Sequence, residues 1–284
     1  MKPVQFEAEL LCRLGGQLLE GPSWAAASAR VLLVDIDGGE RLSIDWPAAT
    51  VRRVPQPESC SAWIERRDRG TVAVCRSGVR LLDGSGELEE VIALEHDLPA
   101  NRANDAKCDS RGRLWVGTMN DDEESPTGAL YRTVDGEVSS FATGVTISNG
   151  LGWSPGGRHM YYIDTPTRRI DVFDYDLESG DACDRRPFAD VSRLAGWPDG
   201  MAVDCEGRLW VAFYGGSAIH CFSERGEHVA SVAVSASRPT SCAFVSSGLD
   251  HLLITTAAAP DGSGGDVFVC DVGVRGAPVA PYAG

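Results

Sequence analysis

Six times along the chain a polar or glycine-bearing turn gives way to a short apolar run that stops on a small or polar residue. The copies run from Ser28-Ala29-Arg30 into Val31-Leu32-Leu33-Val34-Asp35 and from Arg69-Gly70 into Thr71-Val72-Ala73-Val74. Next come Gly112-Arg113 into Leu114-Trp115-Val116 and Gly157-Arg158 into Met160-Tyr161-Tyr162-Ile163-Asp164. The last two are Gly207-Arg208 into Leu209-Trp210-Val211-Ala212 and Leu249-Asp250 into Leu252-Leu253-Ile254-Thr255. Short, unbroken apolar runs between turn signals predict buried strands. Between the copies lie alternating or β-branched runs ended by Asp-Gly or Ser-Gly, such as Val79-Arg80-Leu81-Leu82-Asp83-Gly84. Helical spacing never lasts more than a turn or two, so the pattern predicts an all-β chain.

Successive copies are about 40 to 50 residues apart, the period of a four-stranded propeller blade. Two copies nearly repeat as sequence: Asp109-Ser110-Arg111-Gly112-Arg113-Leu114-Trp115-Val116 and Asp204-Cys205-Glu206-Gly207-Arg208-Leu209-Trp210-Val211. Six repeats filling residues 1–284 predict one six-bladed β-propeller domain without a linker. The alternation Val4-Gln5-Phe6-Glu7-Ala8-Glu9-Leu10 would supply a strand that closes the last blade and removes a sheet edge. A two-sheet sandwich also needs many short strands, but leaves the near-repeat unexplained.

Composition narrows the choice of partners. Apolar residues make up 43% of the 284, enough for a sizeable core, and the formal net charge is −15. That charge disfavours nucleic acid and anionic membranes. No apolar run approaches the length of a membrane span. Nine cysteines without a Cys-x-x-Cys pair, behind a start that lacks a signal-peptide core, fit free thiols in a cytoplasmic protein. The expected assembly is a monomer or a weak homo-oligomer.

Several chemistries lack their residues. The five histidines (His96, His159, His220, His228 and His251) are scattered and read as structural or surface residues. No Gly-x-Ser-x-Gly elbow is present, and the glycine clusters at 84–86 and 262–265 fit neither dinucleotide nor phosphate loops. Asp174-Tyr175-Asp176-Leu177-Glu178 begins like a calcium loop but lacks the loop's glycine and closing glutamate, and reads as a surface turn.

Four polar places at blade boundaries remain: Glu20-Gly21-Pro22-Ser23-Trp24, Asn101-Arg102-Ala103-Asn104-Asp105, Ser148-Asn149-Gly150-Leu151 and Trp197-Pro198-Asp199-Gly200. In a propeller, loops at matching positions of different blades converge on the central channel. Glu20, Asn149 and Asp199 would there offer two carboxylates and an amide oxygen, a set suited to a hard or borderline divalent cation. Taken singly, Asn149 and Asp199 before glycine are ordinary turn residues, and Glu20 is a surface charge. Their joint placement raises the functional case.

With Gly117-Thr118-Met119 and Gly128-Ala129-Leu130-Tyr131 added, these segments resemble the gluconolactonase/regucalcin (senescence marker protein) family over nearly the whole chain, and most closely its bacterial sugar-acid lactonases. Ala106 and Leu19 stand where that family often has glycine. The resemblance implies a six-bladed propeller holding one divalent metal (calcium, zinc, manganese, magnesium or iron) on Glu20, Asn149 and Asp199. It implies substrate contacts from Arg102 and Asn104, and from an acidic residue after Gly-Thr-Met, for which Asp122 is the choice within Asn120-Asp121-Asp122-Glu123-Glu124.

The implied activity is metal-dependent opening of aldonolactones, such as gluconolactone, arabinonolactone or xylonolactone, to sugar acids. Asp199 is then both ligand and general base, with Arg102 and Asn104 orienting the polyol. A lactonase or esterase of other substrates, organophosphates included, would use the same centre. A non-catalytic calcium- or sugar-binding propeller and a protein-interaction propeller are the readings from other classes.

Overall fold

A computed structural model describes residues 2–68 and 70–284. Arg69, in the turn that opens the second repeat, lies outside the described residues. The described residues form six small sheets. The first blade contains Leu19–Ala25, Arg30–Asp35, Glu40–Asp45 and Thr50–Pro55; the second contains Cys60–Glu65, Thr71–Cys75, Gly78–Leu82 and Leu88–Ala93. Asn101–Cys108, Leu114–Asn120, Gly128–Val134 and Glu137–Val145 make the third blade, and Ser148–Trp153, His159–Asp164, Arg169–Tyr175 and Ala182–Asp190 the fourth. The fifth is built on Trp197–Val203, Leu209–Tyr214, Ala218–Phe222 and His228–Ala233; the sixth on Pro239–Val245, His251–Thr256 and Val267–Cys270. The first strands of successive blades pack against one another in a closed cycle around the channel, which makes the six-bladed propeller.

Every one of the repeated apolar runs is the second strand of its blade. Their continuity has a physical cause: the core is divided into six apolar layers, each wedged between two neighbouring blades. A second strand is covered on both faces, so it has no polar side to alternate with. Val31, Leu33 and Val34 illustrate this, each fully buried although they point to opposite faces.

The N-terminal alternation divides its work. Val4–Glu7 pairs in parallel with His228–Ala233 as a fifth strand of the fifth blade, while Glu9–Cys12 pairs with Val267–Cys270 and closes the sixth. Buried Ala8 sits at the crossing, its N–H on the carbonyl of Ala233. The alternation alone predicts one strand in the last blade; two adjacent blades are latched instead.

One other expectation changes. Cys60 and Cys75 lie opposite one another across the second blade's first hairpin and form a disulfide, leaving seven free cysteines rather than nine. Sequence spacing carries no sign of the pair because strand register creates it. Two of the scattered histidines also meet: His220 Nδ1 and His228 Nε2 both lie 2.9 Å from the Ser231 hydroxyl, and burial pushes His220 down to about 4. Among the described residues no helix is long and apolar enough to cross a membrane.

Candidate active site

All six innermost strands carry an irregular register step near their starts, at one end of the channel. The step falls between Glu20 and Ser23, Ala103 and Asp105, Asn149 and Leu151, and Pro198 and Met201 in four of them. Such bulges re-aim a side chain out of the strand's alternation. Glu20, Asn104, Asn149 and Asp199 all sit at these steps, and all line one cavity of about 900 Å³. Arg102 and Asp122 line it too.

The glycines after the ligand candidates are not turn residues. A Cβ on Gly150, at φ +21°, would stand 2.7 Å from the Asp199 carbonyl oxygen, and one on Gly200 would stand 2.1 Å from Ser241 Oγ. Neighbouring innermost strands close the ring only where that side chain is missing.

Glu20 and Asp199 are 9% and 8% exposed. Burial, then repulsion from Asp105, pushes the Glu20 carboxyl up to about 8, against the N–H of Gly21, which donates to its Oε2 at 2.8 Å. Asp199 is raised well above the usual carboxylate range by burial, then by Glu20 and Asp105, with the Gly200 N–H as its stabilising contact. Asp105, 7% exposed, is raised by its own burial. Three carboxylates thus crowd the channel, and among the described residues no guanidinium or ammonium is ion-paired to any of them. Such a cluster is costly unless a cation or protons neutralise it.

The amides are oriented by a chain of hydrogen bonds. Arg102 donates to Asn104 Oδ1 at 2.7 Å, and Asn104 Nδ2 donates to Asn149 Oδ1 and to the Ser148 carbonyl, each at 2.9 Å. Asn149 Nδ2 donates to Thr165 Oγ1 at 2.8 Å, and the Thr165 hydroxyl donates to the Pro198 carbonyl at 2.8 Å. These bonds fix which way the Asn149 amide faces and leave its oxygen a second lone pair. Among the described residues no three His, Cys, Asp or Glu side chains are grouped to hold an ion by themselves. With Glu20 and Asp199, the Asn149 oxygen could make up a three-oxygen set, and the donor types fit a hard divalent cation.

Two buried aspartates hold the entering loops. Asp35 accepts the N–H groups of Gln17 and Leu18, and Asp164 those of Thr146 and Ile147, just ahead of the strands that carry Glu20 and Asn149. Both are visible in the sequence as the polar stops Val34-Asp35 and Ile163-Asp164. Thr165, Trp197 and Tyr214 also line the cavity, and none of them stands out in the sequence as a site residue.

Asp122 is on the acidic wall with Asp37, Glu123 and Glu124. Its carboxylate folds its own loop, accepting the N–H groups of Glu124 and Ser125 at 2.8 Å and the Ser125 hydroxyl at 2.5 Å. Asp121 instead takes Arg76 at 2.6 Å and lies 3.7 Å from Arg102.

The opposite channel mouth differs. The C-terminal stretch crosses it through backbone bonds from Gly276 and Ala277 to Leu249 and Val203, and from Tyr282 and Ala283 to Glu65 and Gly112. A second cavity of about 960 Å³ lies there, lined mainly by apolar groups and by Asp105 and Lys107.

Comparison with known proteins places this architecture. The sequence profile of the SMP-30/gluconolactonase/LRE-like region matches residues 18–258. The chain is 34% identical over 303 residues to regucalcin of Sus scrofa, covering all of both proteins. It is 36% identical over 241 residues, 84% of this chain and 82% of the other, to a Bacillus subtilis protein provisionally named sugar lactone lactonase YvrE. The crystal structure of a calcium-binding protein, regucalcin of Agrobacterium tumefaciens, superposes with a TM-score of 0.92 at 26% identity, covering 100% of this chain and 99% of that one.

Proposed function

The chain belongs to the SMP-30/gluconolactonase/LRE-like family, and from that membership and the chemistry of the channel mouth we propose that it is a lactonase opening neutral sugar lactones to sugar acids. The observation that carries the reading is the pair of buried carboxylates, Glu20 and Asp199, lining one cavity and raised by burial and by neighbouring carboxylates, beside an amide whose direction is fixed. Glu20, Asn149 and Asp199 would hold one divalent cation, drawn from calcium, magnesium, manganese, iron and zinc. Bound there, such an ion would supply Lewis-acid polarisation of a carbonyl and stabilisation of negative charge on its oxygen.

The protein's own groups do the rest. Asp199 orients a water and takes its proton as the water oxygen bonds to the carbonyl carbon. The bond from that carbon to the ring oxygen then breaks, the ring oxygen takes the proton held by Asp199 and becomes a hydroxyl, and the new carboxyl ionises, so that a sugar-acid anion and one proton are released. Arg102 and Asn104 hold the substrate's hydroxyls and carbonyl, and fixed orientation lowers the barrier. Asp122 supplies a further contact from the acidic wall. Six carboxylates line the cavity against the guanidinium groups of Arg102 and Arg238. An uncharged lactone enters such a site more readily than an anion, and the anionic product is repelled from it.

The test is proton release from pentono- and hexonolactones, gluconolactone, arabinonolactone and xylonolactone among them, before and after chelation and with single divalent metals restored. Release that a chelator removes and one metal restores supports the lactonase. Metal binding without release above the spontaneous rate would replace it with a calcium- or sugar-binding propeller, and release only from other esters would reassign the substrate.

A further inference from the structure

Part of the lining of the cavity is aromatic. Trp197 and Tyr214 are cross-strand partners at the top of the fifth blade, and both line the cavity that holds Asp199. Trp197 is 46% exposed, among the large apolar side chains left open to solvent. Its indole is not loose. The Arg168 guanidinium lies 4.6 Å from the ring centroid and is itself anchored on the carbonyls of Leu194 and Gly196 at 2.8 and 3.0 Å. Arg238 sits 5.3 Å from the Tyr214 ring centroid and donates to the Ala258 carbonyl at 2.9 Å.

Each ring of this cross-strand pair is thus braced by its own cation, and Trp197 is two residues from the proposed base. An apolar ring left exposed and braced at a polar cleft is suited to a partner with an apolar face and a polar edge. A sugar lactone is such a molecule: its ring carbons expose patches of C–H on the ring faces, and its hydroxyls and carbonyl supply the polar groups.

We propose that Trp197 and Tyr214 form a stacking wall that receives the C–H face of the lactone ring and turns its polar edge toward Arg102, Asn104 and Asp199. The wall sets which lactones are used, favouring neutral ring lactones that present a C–H patch on one ring face. This rests on the lactonase reading above. Trp197 is a specificity residue and takes no part in bond making.

The test compares Trp197→Ala, Trp197→Phe and the wild type on a lactone panel that includes an anionic member, a glucarolactone. For neutral sugar lactones Trp197→Ala should raise KM about tenfold, about 1.4 kcal/mol, with kcat within about twofold. Trp197→Phe should recover most of the loss, because a flat ring is restored. The glucarolactone should be poor for the wild type and insensitive to the substitution. An unchanged KM in Trp197→Ala, or an equal loss in Trp197→Phe, overturns the wall, and a fall in kcat alone reassigns Trp197 to positioning Asp199. If the wild type opened no lactone, the lactonase reading would fail by itself. Fluorescence titration with gluconolactone would still decide the wall: quenching in the wild type that Trp197→Phe removes supports it, and identical quenching refutes it.

Discussion

Two sets of buried carboxylates in this propeller have opposite surroundings. Asp109 and Asp204, the matching residues of the near-repeat, are fully buried and saturated. Asp204 accepts the N–H groups of Glu206 and Arg208 on one oxygen, each at 2.9 Å, and Arg208 Nε and Trp210 Nε1 on the other, at 2.7 and 3.0 Å. Asp109 does the same with Arg111, Arg113 and Tyr175. Glu20 and Asp199 are nearly as buried, yet each accepts a single backbone N–H, and the more distant charges of Arg102 and Lys107 do not offset what burial and Asp105 do to Glu20. A carboxylate with every lone pair answered folds a turn. One left short of partners next to others of its sign is held for a ligand. The most conspicuous repeat in the sequence therefore marks architecture, and the less conspicuous Glu-Gly, Asn-Gly and Asp-Gly pairs mark the proposed site.

The sharpest break of that contrast swaps function against stability. Asp199→Asn should lower lactone turnover on the order of 10³-fold or more, since it removes the proposed base and a charged ligand together. The same change should leave the metal-free melting temperature equal or higher, because it deletes a repelled charge. Retained turnover would remove Asp199 from the base role.

Asp204→Ala should do the reverse. Loss of its carboxylate strands Arg208, Trp210 Nε1 and two backbone donors, at a cost of about 3–5 kcal/mol in denaturant unfolding. The folded fraction should keep its turnover within about twofold. Equal stability of the two variants would erase the distinction between the sets.

The pH dependence of stability sharpens it further. An unfolded glutamate releases its proton near 4.5, whereas folded Glu20 holds one up to about 8. Between those values the folded chain carries more protons than the unfolded chain, so stability decreases with rising pH. In chelator, the contribution of Glu20 is full below about pH 4.5 and is lost as pH approaches 8. Thermal melts across that window should show the fall, and Glu20→Gln or a saturating divalent cation should flatten it. A melting temperature that rose with pH in chelator, and did so equally in Glu20→Gln, would contradict the raised carboxyl.

Much of the architecture is legible in the order of residues alone. The unbroken apolar runs announce second strands buried on both faces, and their spacing announces six blades. Polar segments ahead of strands give the positions of Glu20, Asn104, Asn149 and Asp199, which do share one cavity. What stays hidden depends on contacts between distant segments. The bulges that aim those side chains arise from pairing, and Asn149-Gly150 and Asp199-Gly200 look like turns until Gly150 is seen under the neighbouring strand. Thr165 matters only because it joins Asn149 to Pro198. The Cys60–Cys75 bond and the division of the N-terminal run at Ala8 are likewise products of register.

The smallest expected effect lies between the two sets, at Asp122. Its oxygens are answered by Glu124 and Ser125, as in a folding carboxylate, yet it lines the cavity, as a site carboxylate does. Asp122→Ala should raise KM about fivefold, near 1 kcal/mol, with kcat unchanged. Asp122→Asn separates the causes, because its amide oxygen can still accept the two N–H groups and keep the loop while the charge is gone. If Asn behaves like Ala, the carboxylate meets the substrate directly, and Asp122 belongs with Glu20 and Asp199. If Asn behaves like the wild type, Asp122 belongs with Asp109 and Asp204, and any acidic contact to the substrate passes to Glu123 or Glu124 on the same wall.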